Sequence, residues 1–226
     1  MKSTLSNHHQ QPLALPRFSR LAKTLREVGK IFYSRGWAMG TGGNYSSTVS
    51  LRPLRLAVTA SGSDKGALKD SEILEIDHLG RAVRGKHRPS YEAMLHLAIV
   101  RSRAAGAVLH THSVWATMLS EKYAPSGGFA IHGYEMLKGL AGVTTHDHQE
   151  WVPILQNSQD ISDLAKTVEA LLAKHFAIHG FLLQGHGLYT WGRSIEEARR
   201  HVEILEFLFE VVGRSQPVTA SRLIAD

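Results

Sequence analysis

Apolar positions in the first third of the chain change from helical to strand spacing. Between residues 17 and 35 they recur every three or four residues, which predicts an amphipathic helix ending before Gly36. The apolar members of this pattern are Leu21, Leu25, Val28, Ile31 and Phe32. Short β-rich runs follow at 45–51, 54–59 and 73–83, the last containing a turn at 77–80.

The remaining two thirds of the chain alternate strand and helix patterns. Helices are predicted at 90–101, 114–123, 161–176 and 194–213, and the last opens with a capping box from Ser194 to Glu197. An apolar strand at 106–109 leads into His110, and residues 178–191 predict two strands around His186. Interleaved strands and helices favour a layered α/β domain with a central sheet.

The chain ends differ from this patterned segment. Residues 1–16 are polar and contain proline without any periodicity, which predicts a loose N-terminal arm. Residues 214–226 are assigned to a C-terminal tail, so one domain is expected at 17–213. A chain of 226 residues with 43% hydrophobic content can bury one core of that size, and one functional site is expected.

Composition limits the chemistry and the location. Because the chain has no cysteine and 14 histidines, disulfides and thiolate ligands are excluded and a metal would bind His, Asp or Glu. We expect a cytoplasmic location without membrane association, since no apolar run of about 18 residues and no leader pattern is present. The net charge of +6 is spread along the chain. It fits a small anionic substrate such as a phosphate ester, whereas a nucleic-acid partner is not expected because basic residues do not cluster with aromatic residues.

Three histidines form the strongest candidate for a metal site. In an extended segment, His110 and His112 point to the same side and can reach one ion. His186 is flanked by Gly185 and Gly187, which permit a close approach of the backbone, and it is a candidate third ligand. Three imidazoles and an open position are typical of catalytic zinc. The alternative interpretation is a pair of polar histidines at a strand end and an unrelated turn histidine.

Other histidines are interpreted differently. His146 and His148 have the same spacing, but their polar surroundings at 144–150 favour a loop at the surface or facing substrate. Five further histidines are interpreted as ordinary buried or surface residues and not as ligands: His96, His132, His175, His179 and His201.

Two loops and two carboxylates are candidates for substrate chemistry. The glycine-containing loops at 40–46 and 59–66 offer backbone N–H groups and polar side chains to a phosphate, although such loops are often only turns. Glu92 and Glu135 are each explained without catalysis when taken alone. The first turn of a helix favours Glu92, and an i, i+3 pair with Lys138 accounts for Glu135.

Five short motifs occur together in a fixed order: Gly42-Gly43-Asn44-x-Ser46, Thr59-Ala60-Ser61-Gly62, Pro89-Ser90-x-Glu92, His110-x-His112 and Gly185-His186-Gly187. This set resembles the class II aldolase/adducin family over residues 17–213. The resemblance implies a three-layer α/β/α sandwich around a mixed, largely antiparallel sheet. It also implies one Zn²⁺ per subunit, a phosphorylated ketose as substrate, and a homotetramer with its sites near subunit interfaces.

The resemblance assigns roles to individual residues. His110, His112 and His186 match the zinc ligands, and Glu92 matches the carboxylate that serves as ligand or base. The positions that match the phosphate site are Asn44, Ser61, Gly62 and Ser90, and Lys65 is added to them because of its charge. Tyr91 departs from the serine that aldolases often have before the carboxylate, which puts that part of the phosphate site in question.

Within the family, the segments at 135–139, 152–161 and 184–192 resemble the dehydratases that act on methylthioribulose 1-phosphate in methionine salvage. This resemblance implies that Glu135 is the general acid/base. An apolar pocket for the methylthio group is expected, with Met39, Trp115 and Met118 as candidates. The alternatives are a sugar-phosphate aldolase or epimerase and a non-catalytic, adducin-like interaction domain.

Overall fold

The protein is described here by a computed structural model that covers residues 14–215, with side chains from residue 17. Most of the predicted arm and tail lie outside the described residues. Five helices occur in the described part: α1 Ala14–Ser34, α2 Ala93–Arg103, α3 Val114–Tyr123, α4 Ile161–Lys174 and α5 Ile195–Arg214. Nine strands accompany them: β1 Asn44–Leu51, β2 Leu54–Thr59, β3 Ile73–Asp77, β4 Ala82–Arg84, β5 Ala107–Thr111, β6 Gly128–His132, β7 Gln149–Leu155, β8 Gly180–Leu183 and β9 Gly187–Gly192.

The nine strands form one sheet in the order β4-β3-β2-β1-β5-β9-β8-β7-β6. Neighbouring strands are antiparallel except β7 and β8, which are parallel. The prediction of a mixed, largely antiparallel sheet within an α/β fold is therefore confirmed.

Helices cover both faces of the sheet because its central strands are apolar on both sides. In β5, Val108 packs in the cluster that contains α2 and α4, whereas Ala107 and Leu109 pack in the cluster that contains α1 and α5. All three side chains are fully buried. A third cluster joins α3 and α5 to β6 and β7. Complete burial of a large aliphatic side chain contributes about 1.5–3 kcal/mol, so this alternation fixes which face of β5 meets which helices.

Three elements differ from the sequence-based expectations. The helix predicted from residue 90 begins at Ala93, and Glu92 is its N-cap residue. The strands β6 and β7 were not predicted, and the polar segment 144–150 runs into β7. Glu150, taken from sequence as part of a polar loop, is 1% exposed. It is tolerated there because the nearby His148 and the sequence-distant His179 satisfy its carboxylate.

No helix within residues 14–215 is long and apolar enough to cross a membrane.

Candidate active site

The strand register brings two of the three predicted histidines to one face of the sheet. His110 and His112 have the same parity as Val108, so they lie on the side of α2 and α4. His110 pairs with Tyr189 of β9 on one side and with Asn44 of β1 on the other. His186 lies in the turn between β8 and β9, and its ring reaches the other two.

The three rings point their Nε2 atoms at a common point. His110 Nε2 lies 2.8 Å from His112 Nε2 and 3.2 Å from His186 Nε2. Two nitrogen ligands of a tetrahedral zinc ion, each about 2.0–2.1 Å from the metal, lie about 3.3 Å apart. The donor set therefore fits a divalent cation, and His110, His112 and His186 are one of two groups in the described residues with suitable ligand atoms.

The backbone fixes the orientation of the central imidazole. His110 Nδ1 lies 2.9 Å from the carbonyl oxygen of Leu188 and donates to it, which leaves the Nε2 lone pair free for a metal. Burial lowers the pKa of His110 well below its ordinary value, and the neighbouring His112 and His186 lower it further. Burial also lowers the pKa of His112 to about 4. Both rings are consequently neutral near pH 7, as ligation requires.

One carboxylate lies beside this triad. Glu92 Oε1 is 3.3 Å from His186 Nε2, and Oε2 is 3.7 Å from His110 Nε2. The amide of Asn44 donates to Oε2 at 2.5 Å. Sequence analysis predicted Asn44 for the phosphate site, yet here its NH₂ group faces Glu92.

A cavity of about 1230 Å³ opens in front of the triad, and both glycine-containing loops contribute to its wall. All five residues predicted for phosphate binding line it, together with Glu92 and two of the histidines: Asn44, Ser61, Gly62, Lys65, Ser90, Glu92, His112 and His186. Gly43 has φ of +74°, and a Cβ there would lie 2.6 Å from the carbonyl oxygen of His110. Glycine therefore lets this loop approach the strand that carries His110.

Lys65 is buried and connects the two loops. It is 1% exposed, and its ammonium group donates to the carbonyl oxygens of Thr41 at 3.0 Å and Ser63 at 2.7 Å. Burial lowers the pKa of Lys65 to about 8, although nearby carboxylates, Glu92 among them, favour the charged form. The ammonium group has a third N–H for a ligand.

Glu135 is not brought to this cavity. It begins a 3₁₀ turn, Glu135–Gly139, and its side chain is 73% exposed. Lys138 donates to its carboxylate at 2.5 Å, and His146 lies 3.9 Å away. A hydrogen bond from Lys138 lowers the pKa of Glu135. The structure thus places the predicted general acid/base outside the cavity of its own chain.

The second group with metal-type ligands contains His148, Glu150 and His179. Glu150 Oε2 lies 2.9 Å from both His148 Nε2 and His179 Nδ1, and Oε1 accepts from the backbone N–H of His179. His179 Nε2 lies 2.8 Å from the carbonyl oxygen of Ala141. The carboxylate is satisfied and both His179 nitrogens face acceptors, so this group is explained as an ion pair. His146 does not belong to it.

The remaining histidines lie outside the triad. His132 is exposed and His175 is half-buried. His201 is buried, with Nδ1 2.7 Å from the carbonyl oxygen of Trp191 and Nε2 accepting from Ala141 N–H. His96 is fully buried behind the cavity, where it contacts Asn44.

The residues suggested for a methylthio pocket are elsewhere. Met39 and Met118 are exposed, and the ring of Trp115 packs close to Gly213. None of the three lines the cavity. Its apolar wall instead contains Met94 and Leu164, which the sequence did not single out because helical periodicity explains them as core residues.

The sequence matches the model of a known protein family. The family model for the class II aldolase and adducin N-terminal domain matches residues 23–212. The chain belongs to the class II aldolase/adducin family.

The chain is similar over most of its length to two curated relatives and to one solved structure. The chain is 42% identical over 202 residues to methylthioribulose-1-phosphate dehydratase of Methylococcus capsulatus, covering 89% of this chain and 97% of that protein. It is 43% identical over 195 residues to the protein of the same name from Sorangium cellulosum, covering 85% and 91%. The crystal structure of YgbL from Klebsiella pneumoniae superposes with a TM-score of 0.74 at 25% identity, covering 87% of this chain and 90% of YgbL.

Proposed function

We propose that this protein is a zinc-dependent lyase that dehydrates 5-methylthioribulose 1-phosphate to 2,3-diketo-5-methylthiopentyl 1-phosphate. The observation that carries the proposal is one cavity that combines a three-histidine ligand set, a carboxylate and two glycine-containing loops. The relatives named for this reaction supply the substrate. Methionine salvage as the pathway and the cytoplasm as the location belong to the same proposal.

The metal would be held by His110, His112 and His186. A zinc ion bound to three neutral imidazoles keeps an open position and supplies Lewis-acid polarisation of carbonyl and hydroxyl oxygens. The backbone carbonyl that accepts from His110 Nδ1 keeps that ring in the tautomer able to ligate.

The substrate phosphate would bind at the opposite wall. Ser61, Gly62 and Ser90 offer hydroxyl and backbone donors there, and Lys65 adds positive charge. Because Lys65 also donates to both loops, it holds the donors in one arrangement before the anion enters.

Two carboxylates would take part in proton transfer. Glu92 lies next to the ligand set and serves as a further ligand or as a base. Glu135 would move the C3 proton and assist departure of the C4 hydroxyl as water, after which the enol tautomerises to the diketone. Since Glu135 is exposed on its own chain, this role requires that it enter the cavity of a second copy.

Exposed apolar residues on α3 support an oligomer in which subunits could share their sites. Val114 and Met118 are 68% and 54% exposed and share one face of α3, which begins two residues after His112. Exposed apolar side chains at helical spacing are typical of a subunit contact. We propose a homotetramer in which Glu135 of one subunit serves the metal site of another.

The first experiment measures the reaction itself. Zinc-loaded protein is incubated with methylthioribulose 1-phosphate, and diketone formation is followed, with fuculose 1-phosphate and ribulose 5-phosphate as controls. Diketone formation that is lost on chelation and in His112→Ala supports the proposal. Cleavage or epimerisation of a control sugar would instead identify an aldolase or epimerase, and zinc binding without turnover would favour an interaction domain.

A second experiment tests the shared site. Glu135→Gln and His112→Ala are each expected to be inactive, and Glu135→Gln should retain its zinc. Mixing the two variants under conditions that exchange subunits should restore part of the activity, because some sites then combine intact residues from both chains. The matched control is a mixture of His112→Ala with His186→Ala, which cannot regenerate a complete ligand set. No recovery in the first mixture, with exchange verified, would overturn the assignment of Glu135 to the metal site of another subunit, and full activity of Glu135→Gln alone would place it outside the mechanism.

A further inference from the structure

A buried histidine lies behind the cavity and contacts no metal-ligand atom of the triad. His96 is on α2, four residues after Glu92, and is 0% exposed. Its Nδ1 lies 2.7 Å from Ser46 Oγ, and its Nε2 lies 2.5 Å from Asn44 Oδ1. Ser46 and Asn44 are on one face of β1, so the strand and the helix are joined through this ring.

The hydrogen bonds in this group have one consistent direction. Asn44 must present its NH₂ to the Glu92 carboxylate, because the reversed amide would oppose two acceptor oxygens. Asn44 Oδ1 is then the acceptor toward His96, so Nε2 of the ring carries the proton. Nδ1 is consequently an acceptor, and the hydroxyl of Ser46 donates to it. The chain of donors runs from Ser46 through His96 and Asn44 to Glu92.

The surroundings keep this direction from reversing. Burial lowers the pKa of His96 to about 3, so the ring is neutral and carries a single N–H. The ring also packs edge-on against Tyr189, whose own ring stacks on His110 at 3.9 Å between centroids. Both nitrogen atoms of the His96 ring have a partner, and the side chain is fully buried.

We propose that Ser46 and His96 are positioning residues, which fix the amide of Asn44 so that it holds the Glu92 carboxylate beside the three histidines. The inference rests on the proposed function, because it assigns the group a task in that site. Neither residue itself lines the cavity. Their effect on turnover would pass through Glu92, and substrate binding at the phosphate loops should remain unchanged.

The test compares two adjacent serines of β1. Ser46→Ala removes the hydroxyl that donates to His96 Nδ1 and releases one side of the ring, with the loss of one buried oxygen. Ser47→Ala is the matched control, since Ser47 is also buried but points to the other face, where it donates to the carbonyl oxygen of Gly106 at 3.0 Å. We expect kcat for dehydration to fall about 10- to 100-fold in Ser46→Ala, because small misplacements of a catalytic group have effects of that size. KM and zinc content should not change, and Ser47→Ala should keep the wild-type kcat.

A second measurement is independent of activity. In ¹⁵N-edited NMR spectra of the metal-free protein, His96 should be the Nε2–H tautomer. Ser46→Ala should keep that tautomer, and its Nδ1 resonance should shift toward that of a nitrogen without a hydrogen-bond donor. His96→Gln, which keeps an N–H donor toward Asn44, should recover part of the kcat that is lost in His96→Leu. Melting temperatures of all variants distinguish positioning from loss of fold.

The outcomes separate this inference from the proposed function. An Nδ1–H tautomer in the wild type, or an unchanged kcat in a folded Ser46→Ala protein, would overturn the positioning role. A change in KM alone, with kcat preserved, would also overturn it. If the wild-type protein does not dehydrate the substrate, the proposed function fails, and the NMR result still decides whether the hydrogen-bond direction is right.

Discussion

Glu206 of α5 is a buried carboxyl group that contacts β5, the strand that carries His110. It is 2% exposed, and Thr111, which lies between His110 and His112, donates to its Oε1 at 2.8 Å. Burial raises the pKa of Glu206 from its ordinary value of 4.5 to about 7, and hydrogen bonds from Ser113 and Thr111 offset only part of that effect. The folded protein therefore holds this proton more tightly than the unfolded chain does.

The sign of the stability effect follows from this difference. Between pH 4.5 and about 7 the folded state binds more protons than the unfolded state, so rising pH lowers the free energy of unfolding across that window. A pKa difference from 4.5 to about 7 corresponds to about 3 kcal/mol at 25 °C. Well above pH 7 the side chain is ionised in both states, and the free energy of unfolding is reduced by this full amount.

Glu206→Gln removes the ionisation and keeps the shape. Urea unfolding of the variant and the wild type is measured at pH 5, 6, 7 and 8. The difference between their unfolding free energies at each pH isolates Glu206, because the contributions of the other groups cancel. Relative to the wild type, the variant should gain about 2.5 kcal/mol between pH 5 and 8, because part of the total difference has already developed at pH 5. Glu210→Gln is the control on the same helix, because Glu210 is solvent-exposed and pairs with Arg214. A Glu206→Gln difference that does not vary with pH would refute the argument.

Three further changes test other parts of the fold. Gly187→Ala would put a Cβ 2.1 Å from the carbonyl oxygen of Thr111, so we expect separation of β5 from β9 and loss of zinc binding, measured by metal analysis of the purified protein. Ser194→Ala removes the N-cap acceptor of α5 and should cost about 1 kcal/mol in urea unfolding. His179→Gln should destabilise more at pH 6 than at pH 9. Burial lowers the pKa of His179, but the carboxylate of Glu150 outweighs it, so the pair stabilises below the ordinary pKa and is lost as pH rises through the raised one. Equal destabilisation at both values would contradict this assignment.

Much of the fold and the ligand set could be predicted from local sequence patterns. The helix predicted at 114–123 and the strand predicted at 54–59 have the bounds of α3 and β2. The prediction that His110 and His112 share one side follows from the two-residue period of a strand, and the structure has that arrangement. These features depend on neighbours within a few residues, and the sequence contains that information directly.

Tertiary structure decided how polar groups distant in sequence meet. The sequence places Glu150 in a polar loop, but in the fold it pairs with His179, which is 29 residues later. His96 has no distinguishing local pattern, but in the fold it contacts Asn44 of β1. Glu135 is a further case: the family resemblance implies a catalytic role, but the side chain is exposed on its own chain, so only an assembly of several chains could bring it to a site. A buried polar group is stable only beside a partner, and the register of strands and helices determines that partner. The sequence therefore determined which residues are available to the site, and the packing of the sheet against α2 determined which of them act together.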